Sequence, residues 1–350
     1  MTAAPHRNGL KFIALALPAL VSLPLIAGFF GSFHPAFDSF AHFRVHLAAL
    51  LAMSAVPAAF FRLRKEALAT FAFAIAALST TSSALPVLNQ ALASFSPKDE
   101  AQAVYRLLQF NARFDNREPA KLFSLIGTHQ PDIITLDEVS VMWAAELERI
   151  SAAYPHRLIC AAPKRVGGVA ILSRRPFAEG QPGHCLDGGS AAAATIDLGG
   201  RSIDVAALHL AWPWPFGQAR QVDGLAGEFA GLGNGKSGAV IAGDFNATPW
   251  SAAVRRLQAA GAFTQVPAVG PTWLPRQLPK SLRGWIGLPI DHVLTNGGVM
   301  VHSARTVEDA GSDHAPVLIE FSLFRTDTVP PEDATQSMTV STGAAAFPES

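Results

Sequence analysis

Six short polar clusters, each at the end of an apolar run, are the part of this sequence that could do chemistry. They are Gln109-Phe110-Asn111, Leu136-Asp137-Glu138, Leu208-His209-Leu210, Gly243-Asp244-Phe245-Asn246, Ile290-Asp291-His292 and Ser312-Asp313-His314-Ala315-Pro316. One polar group after a strand is normally a solvated loop, but six such runs indicate groups that converge on one rim of a domain. Acids, amides and imidazoles together suit phosphate-ester hydrolysis, which needs a cation at the phosphate, an activated water and a proton for the leaving oxygen.

The spacing within two clusters adds a geometric expectation. Asp244 and Asn246 are two residues apart, so in an extended segment their side chains lie on the same side. The carboxylate could then orient or deprotonate a water while the amide holds the phosphate. The alternative is an Asx-type turn, since both residue types favour turns. His292 directly follows Asp291, so on a strand it faces the opposite side, and we interpret it as a packing or hydrogen-bonded structural histidine.

Three of these motifs carry a family resemblance. G-D-F-N, I-D-H-V-L and G-S-D-H-A-P, in that order, resemble the signature of the endonuclease/exonuclease/phosphatase superfamily. The run Gly167–Arg174 and the run G-D-F-N-A-T-P-W resemble its bacterial membrane-linked branch. The resemblance covers roughly residues 103–323. It implies a four-layered α/β sandwich with mixed β-sheets that hydrolyses phosphodiester or phosphomonoester bonds by metal-assisted, in-line attack of water.

The resemblance also implies a role for each cluster. Glu138 would be the principal ligand of Mg²⁺ or Mn²⁺, and Asn111 and Asp313 would be further metal groups. Many relatives have Gln where this chain has Asp137, and that extra carboxylate leaves the full ligand set open. The implied catalytic residues are His209, Asp244, Asn246, Asp291 and His314.

Asp291 and His314 resemble a carboxylate–imidazole pair of the family. In such a pair the carboxylate fixes the ring and raises its pKa, so that the imidazolium can stabilise charge on phosphate. His209 would protonate the leaving group or bind phosphate, with a structural histidine as the alternative.

Aromatic and basic residues beside the clusters are candidates for substrate binding. Trp273 lies in P-T-W-L-P, and Arg220 follows the A-W-P-W-P-F run that contains Trp212, Trp214 and Phe216. Prolines keep both loops stiff, so the aromatics could stack on a base, hold a lipid chain or touch a bilayer. The aromatic side chains could equally pack onto the core of the domain. Arg220 could equally be an ordinary surface residue.

The elements that must position these groups follow from the apolar patterning. Strands are expected at Val104–Asn111, Asp132–Leu136, Gly168–Ser173, Ser202–Leu210, Ala239–Ala242, Asp291–Thr295 and Ala315–Phe321, and helices at Lys121–His129, Val141–Ala153, Arg220–Gly231 and Trp250–Ala260. Sequential strands with helices between some of them favour an α/β sandwich with a mixed sheet over a parallel sheet.

The N-terminal third predicts a membrane anchor. Phe12–Phe30, Val45–Phe61 and Ala67–Leu88 contain no Asp, Glu, Lys or Arg, and each is near the length of a transmembrane helix. A signal peptide is the alternative for the first stretch, and buried helices of a soluble protein for all three. We therefore expect a three-helix anchor at residues 1–92, a linker at 93–102, the catalytic domain at 103–323 and a disordered tail at 324–350.

Basic residues predict the orientation. Arg7 and Lys11 precede the first stretch, and Arg62, Arg64 and Lys65 lie between the second and third. The positive-inside rule puts both groups in the cytoplasm. Three crossings then place the catalytic domain outside, so the chain is expected to be a multi-pass protein of a bacterial inner membrane with a periplasmic domain.

Cysteine content leaves one alternative open. Cys160 and Cys185 could pair in an oxidising compartment, or they could be two buried thiols.

The charge distribution bears on the substrate. Residues 1–98 hold seven of the 27 Lys and Arg and two of the 27 Asp and Glu, so the remainder has a net charge of −5. A nucleic-acid binder usually has a basic footprint, so a phospholipid or small ester is at least as good a candidate as DNA or RNA. A nuclease and a non-catalytic binding or scaffold module are the alternatives. Nothing in the sequence indicates an obligate protein partner.

Overall fold

Two six-stranded mixed β-sheets form the centre of the computed structural model, which describes residues 4–81, 95–99, 102–163, 165–267 and 270–324. Sheet A has the order β11-β12-β1-β2-β4-β3, with β1 Tyr105–Asn111, β2 Ile133–Val139, β3 His156–Ile159, β4 Gly168–Ser173, β11 Val299–Thr306 and β12 Val317–Leu323. Sheet B has the order β5-β6-β7-β8-β10-β9, with β5 His184–Leu186, β6 Ala191–Asp197, β7 Ser202–Leu208, β8 Gly238–Asp244, β9 Thr264–Gln265 and β10 Asp291–Gly297. The β1–β2 and β7–β8 pairs are parallel, and the predicted α/β class with mixed sheets is confirmed.

Apolar side chains fill the space between the sheets and the space under the flanking helices. The inner faces share one buried cluster that includes Leu107 and Ile319 of sheet A and Val205 and Val240 of sheet B. The outer faces are covered by α5 (Pro119–His129) and α6 (Val141–Leu147) on sheet A, and by α7 (Gln218–Ala230) and α8 (Ala252–Ala260) on sheet B. A further short helix is α9 (Lys280–Ile286). Strands buried on both faces explain why the sequence shows continuous apolar runs there.

The register of the strands brings the polar clusters to one rim. Asn111 at the end of β1 is opposite Asp137 in the parallel β2, and Asp291 at the start of β10 is opposite Asp244 at the end of β8. At Gly243 a Cβ would collide with the main chain of Leu208, so glycine allows the close approach of β7 and β8 there. The predicted convergence of the clusters therefore has a topological cause.

Four helices make up the described N-terminal region: α1 Ala4–Ala27, α2 Pro35–Ala41, α3 Arg44–Phe60 and α4 Arg64–Ser79. One segment, Gly9–Phe30, is long and apolar enough to cross a membrane by length and composition, and the bent pair α2–α3 would be a second if it counts as one span. The third predicted stretch is helical to Ser79, but residues 82–88 lie outside the described residues. Three spans stay a prediction.

The short helix α2, which lies between the first two apolar stretches, packs against the sheet domain. The Asp38 carboxylate accepts hydrogen bonds from Ala252 N (2.7 Å) and Ala253 N (3.1 Å) at the start of α8. Trp250 Nε1 donates to Ala41 O at 2.6 Å. Helix N-termini expose unpaired N–H groups and attract negative charge, so Asp38 joins the N-terminal region to the sheet domain.

The predicted linker is partly held to the sheet. Ser96 N donates to Val301 O of β11 at 3.0 Å, and Lys98 forms an ion pair with Glu320 of β12 at 2.7 Å. The predicted disordered tail lies outside the described residues from residue 325 onward.

Cys160 and Cys185 form a disulfide with a Cα–Cα distance of 5.7 Å. Cys160 is buried just after β3 of sheet A, and Cys185 is exposed on β5 of sheet B. The bond therefore links the two sheets, and it resolves the alternative that the sequence left open.

We expect Cys185→Ser to lower the free energy of unfolding by about 3 kcal/mol, because a cross-link across 25 residues restricts the unfolded chain. Urea unfolding of the purified chain in detergent would measure the change. The wild-type protein without reductant is the control for this comparison. If both of its cysteines react with an alkylating agent before unfolding, the disulfide is absent and the prediction is wrong.

Candidate active site

Glu138 is turned toward the rim by an irregularity in its strand. The β2–β4 register shifts between Leu136 and Val139, and Glu138 has a positive φ of 57°. Its carboxylate accepts hydrogen bonds from Asn111 Nδ2 (3.2 Å) and Phe114 N (3.0 Å). Bulges re-aim side chains next to active sites, and a strained non-glycine backbone is common there. Burial raises the pKa of Glu138, which these two hydrogen bonds only partly offset.

Asp244 lies at the centre of the polar cluster. Its Oδ2 accepts from Asn111 Nδ2 at 3.0 Å and lies 3.6 Å from His314 Nε2 and 3.8 Å from His209 Nε2. Burial raises the pKa of Asp244 to about 6, although the two histidines act in the opposite direction. A carboxylate with such a pKa can exchange a proton near neutral pH.

Asp244 and Asn246 form an Asx turn, which corrects the expectation of an extended segment. Asn246 N donates to Asp244 Oδ1 at 2.8 Å, and Asn246 has a positive φ of 47°. The Asn246 side chain donates to Leu210 O at 2.9 Å. The local preference of Asp and Asn for turns outweighs strand continuation here, yet both residues line the same cleft.

Asp291 and His314 are in direct contact. His314 Nδ1 lies 2.8 Å from Asp291 Oδ2, and both side chains are buried. Burial lowers the pKa of His314, but the charges of Asp291 and Asp244 outweigh it and raise the pKa to about 10. Burial would raise the pKa of Asp291, but the charge and hydrogen bond of His314 outweigh it and hold that pKa below its usual value. The pair is therefore a carboxylate and an imidazolium at neutral pH.

Asp137 and Gln109 tie the two sheets together beneath these groups. Asp137 Oδ2 accepts from Asp244 N (2.7 Å) and from Gln109 Nε2 (3.1 Å), and Gln109 Nε2 also donates to Asp291 Oδ1 (3.1 Å). Burial and the charge of Asp244 raise the pKa of Asp137 well above its usual value. Asp137 is thus a buried acid that accepts hydrogen bonds beneath the predicted metal site.

A divalent cation could be held at two places near this rim. Ligand atoms of Asp244, Asp291 and His314 all lie within 4.8 Å of one another. His314 Nδ1 is already engaged by Asp291, so only its Nε2 would be open to a metal. Glu138 offers carboxylate oxygens in the same cleft, and hard cations prefer oxygen donors.

The remaining predicted residues differ in where they lie. Asp313 and Trp273 line the cleft, and Asp313 Oδ1 is 3.8 Å from Arg113 Nε. Asn111 bridges Glu138 and Asp244 through Nδ2 while its Oδ1 accepts from Arg113 N at 2.9 Å, so its part in metal binding stays a prediction. Arg220 is not among the residues that line the cleft, and its contact with substrate stays a prediction.

His292 has the structural role that the sequence predicted. Its Nε2 lies 2.6 Å from Ala247 O and its Nδ1 lies 3.0 Å from Gln265 Nε2, so Nε2 carries the proton and Nδ1 accepts. Burial lowers the pKa of His292 to about 4, and the ring is neutral.

The sequence analysis missed one side of the cleft. Ser39, His42 and Phe43 line it together with the catalytic candidates, in a cavity of about 440 Å³. The only sequence signal was Asp38, one of two acidic residues in the first 98. An acid within an apolar stretch needs a partner, and that partner is helix α8.

Comparison with known proteins agrees with this geometry. The sequence model described as "Endonuclease/Exonuclease/phosphatase family" matches residues 108–314. No curated protein matches the chain. Among solved structures, D. rerio TDP2 complexed with single-strand DNA product is 15% identical, with a TM-score of 0.51 and coverage of 63% of this chain and 99% of that one.

Two further structures are equally similar. The human Nocturnin catalytic domain with bound sulfate is 17% identical, with a TM-score of 0.51 and coverage of 64% of this chain and 97% of that one. The Bacteroides vulgatus endonuclease/exonuclease/phosphatase is 17% identical, with a TM-score of 0.51 and coverage of 64% and 100%. At these identities the likeness shows the fold alone.

The Asp291–His314 pair predicts a pH dependence of stability. A histidine in an unfolded chain has a pKa of about 6.5, whereas the pKa of His314 in the fold is raised to about 10. The charged ring therefore stabilises the fold fully below about pH 6.5, and this contribution is lost as the pH rises through about 10. Asp291→Asn should therefore flatten the fall in the free energy of unfolding between these pH values. Urea unfolding at a series of pH values would measure this fall in the free energy of unfolding.

Glu308→Gln, which removes the exposed partner of His129, is the matched control and should leave the slope of that free energy against pH nearly unchanged. An unchanged slope in Asp291→Asn would contradict the raised pKa.

Proposed function

This chain belongs to the endonuclease/exonuclease/phosphatase family, and we propose that it is a membrane-anchored, metal-dependent phosphoesterase. It hydrolyses a phosphodiester or phosphomonoester by in-line attack of water. The observation that carries this proposal is the placement of Asp244, within 3.8 Å of His209 and 3.6 Å of His314, in the cleft that also holds Glu138.

Each of these side chains has a task that its surroundings support. Asp244, with its pKa raised to about 6, orients the attacking water and takes up its proton. The His314 imidazolium, held by Asp291, stabilises negative charge on the phosphate. His209, whose Nε2 lies 3.8 Å from Asp244, protonates the leaving oxygen, and Asn246 holds the Asp244 carboxylate through its main-chain N–H.

A divalent cation, Mg²⁺ or Mn²⁺, completes the proposed site. Glu138 would hold it, with Asn111 and Asp313 near the same cleft as further groups. When bound, such a cation neutralises phosphate charge. The fit rests on the oxygen donors and on the raised pKa of Glu138.

Two alternative functions have less support. A non-catalytic binding module on this fold would be expected to lack an acid or an imidazole, whereas this cleft has both kinds of group in contact. A nuclease should present several cations to the phosphate backbone, whereas Arg113 is the one Lys or Arg that lines the cleft in the described part of the chain.

The proposed location is the outer face of a bacterial inner membrane. Helix α2 and the sheet domain lie on the same side because Asp38 joins them, and α3 and α4 pack as a hairpin whose turn carries the basic residues Arg62 and Arg64. An outward domain with an inward basic turn agrees with the positive-inside rule. The Cys160–Cys185 disulfide supports an oxidising compartment.

Glu138→Gln and Asp244→Asn should each lower kcat for bis(p-nitrophenyl) phosphate by about 100-fold or more, because each removes a charge that stabilises the transition state. A chelator should silence the wild type, and Mg²⁺ or Mn²⁺ should restore it. Glu146→Gln, a surface acid paired with Arg149, is the matched control and should retain activity. Full activity in chelator, or in Asp244→Asn, would contradict the assignment.

A topology reporter tests the location. We expect activity from a reporter that works only outside the cytoplasm when it is fused after Ser96. The reason is that the basic residues hold the α3–α4 turn in the cytoplasm. Moving those residues into the loop Gly31–His42 should reduce its activity. A cytoplasmic reporter that works at the same junction would refute export.

A further inference from the structure

The juxtamembrane segment, defined as Gly31–His46, forms one wall of the catalytic cleft. Its residues Ser39, His42 and Phe43 line the cavity that also contains Glu138 and His314. The segment runs from beyond α1 into the first turn of α3, and it lies outside the match to the family, which begins at residue 108. The cleft is therefore a composite of the apolar N-terminal region and the sheet domain.

Several contacts hold the juxtamembrane segment in this position, and those of Asp38 are buried. Asp38 is only 6% exposed, and its carboxylate accepts from two N–H groups at the start of α8. Ser39 Oγ donates to Trp214 O at 3.1 Å, and His46 Nε2 lies 3.1 Å from Ile286 O. Charge-assisted hydrogen bonds of a buried carboxylate are costly to break. The juxtamembrane segment is thus held firmly as part of the cleft lining.

The lining of the composite cleft combines polar and apolar side chains. Glu138, Asp244 and His314 are among the polar ones. The apolar ones include Phe43, Phe114, Trp212, Trp214, Phe216 and Trp273. Trp212 and Phe216 remain 62% and 63% exposed, and an exposed aromatic patch beside a site marks a ligand or membrane contact.

The apolar lining includes a residue that adjoins a helix of the N-terminal region. Phe43 lines the cleft and immediately precedes α3, and it is 50% exposed. Large apolar side chains also point outward along α1 and α3, among them Phe12, Leu20, Met53 and Val56. A ligand whose apolar part stays among such side chains can reach the catalytic groups with its phosphate without leaving a bilayer.

We propose that the cleft binds an amphiphilic phosphate ester resident in the membrane, with its phosphate at Asp244 and His314 and its apolar chain against Phe43 and the Trp212–Phe216 loop. This inference rests on the proposed phosphoesterase function and names its substrate class. A nucleic acid fits less well, because the lining offers it one guanidinium and a long apolar face.

A chain-length series tests the inference with one reaction and one leaving group. The full chain in detergent, with Mg²⁺, is assayed on methyl, butyl and octyl 4-nitrophenyl phosphate below their micelle-forming concentrations. We expect kcat/KM to rise about tenfold or more from methyl to octyl, since each buried methylene adds binding free energy. The rise should come mainly through KM.

Substitutions in the protein locate the surface that binds the alkyl chain of the ester. Phe43→Ala and Trp214→Ala should each reduce the octyl-to-methyl ratio of kcat/KM several-fold. Asp38→Asn, which weakens the hold on the juxtamembrane segment, should reduce it too. Trp285→Ala removes an aromatic that is 81% exposed but does not line the cleft, and this control should keep the wild-type ratio.

The outcomes separate the two proposals. Hydrolysis of the methyl ester with no dependence on chain length would overturn the amphiphile inference and leave the phosphoesterase function standing. Hydrolysis of none of the esters, with Mg²⁺ or with Mn²⁺, would overturn both. Single-stranded DNA cleaved with a higher kcat/KM than the octyl ester, and with a steep loss of rate in salt, would show a nuclease instead.

Discussion

Hydrogen bonds between buried polar side chains hold the two sheets together at the rim where the cleft opens. Gln109 of sheet A donates to Asp137 of its own sheet and to Asp291 of sheet B. Asp137 in turn accepts from the main chain of Asp244, and Asn111 donates to the Asp244 carboxylate. Polar groups shut away from water must be paired, so this network fixes the distance between the sheets as well as the orientation of the catalytic candidates.

The same network concentrates acids in a dry place, and its charge balance decides how they behave. Asp137, Asp244 and Asp291 are all buried. Since His314 is held as an imidazolium beside Asp291, that acid keeps its charge, while burial raises the pKa of Asp244 to about 6 and also raises the pKa of Asp137. Environments that drive neighbouring carboxyl groups apart in pKa assign them different tasks. Here Asp291 orients the histidine, Asp244 titrates near neutrality, and Asp137 accepts hydrogen bonds from both sheets.

The N-terminal region is a structural part of the active site. Asp38 satisfies two of the free N–H groups of α8, and Ser251 Oγ satisfies a third at Val254 N (3.2 Å). The segment Gly31–His46 therefore completes the capping of this helix. The separation into an anchor and a catalytic domain, natural from composition, divides residues that share one cavity.

The sequence by itself determined the class of fold, most of the strands that end at the rim, and the identity of the polar groups there, because apolar periodicity and residue type are local properties. It missed β6, whose Ala-rich segment Ala191–Asp197 has little intrinsic preference for a strand, because neighbouring strands decide that conformation. Only the tertiary structure decided that Asp244 and Asn246 form a turn, that Arg220 lies outside the cleft, and that Asp137 accepts a hydrogen bond from the main chain of Asp244. The part of the cleft formed by Ser39, His42 and Phe43 could not be predicted from the sequence either. A contact between residues about 200 positions apart depends on how two regions of the chain pack together.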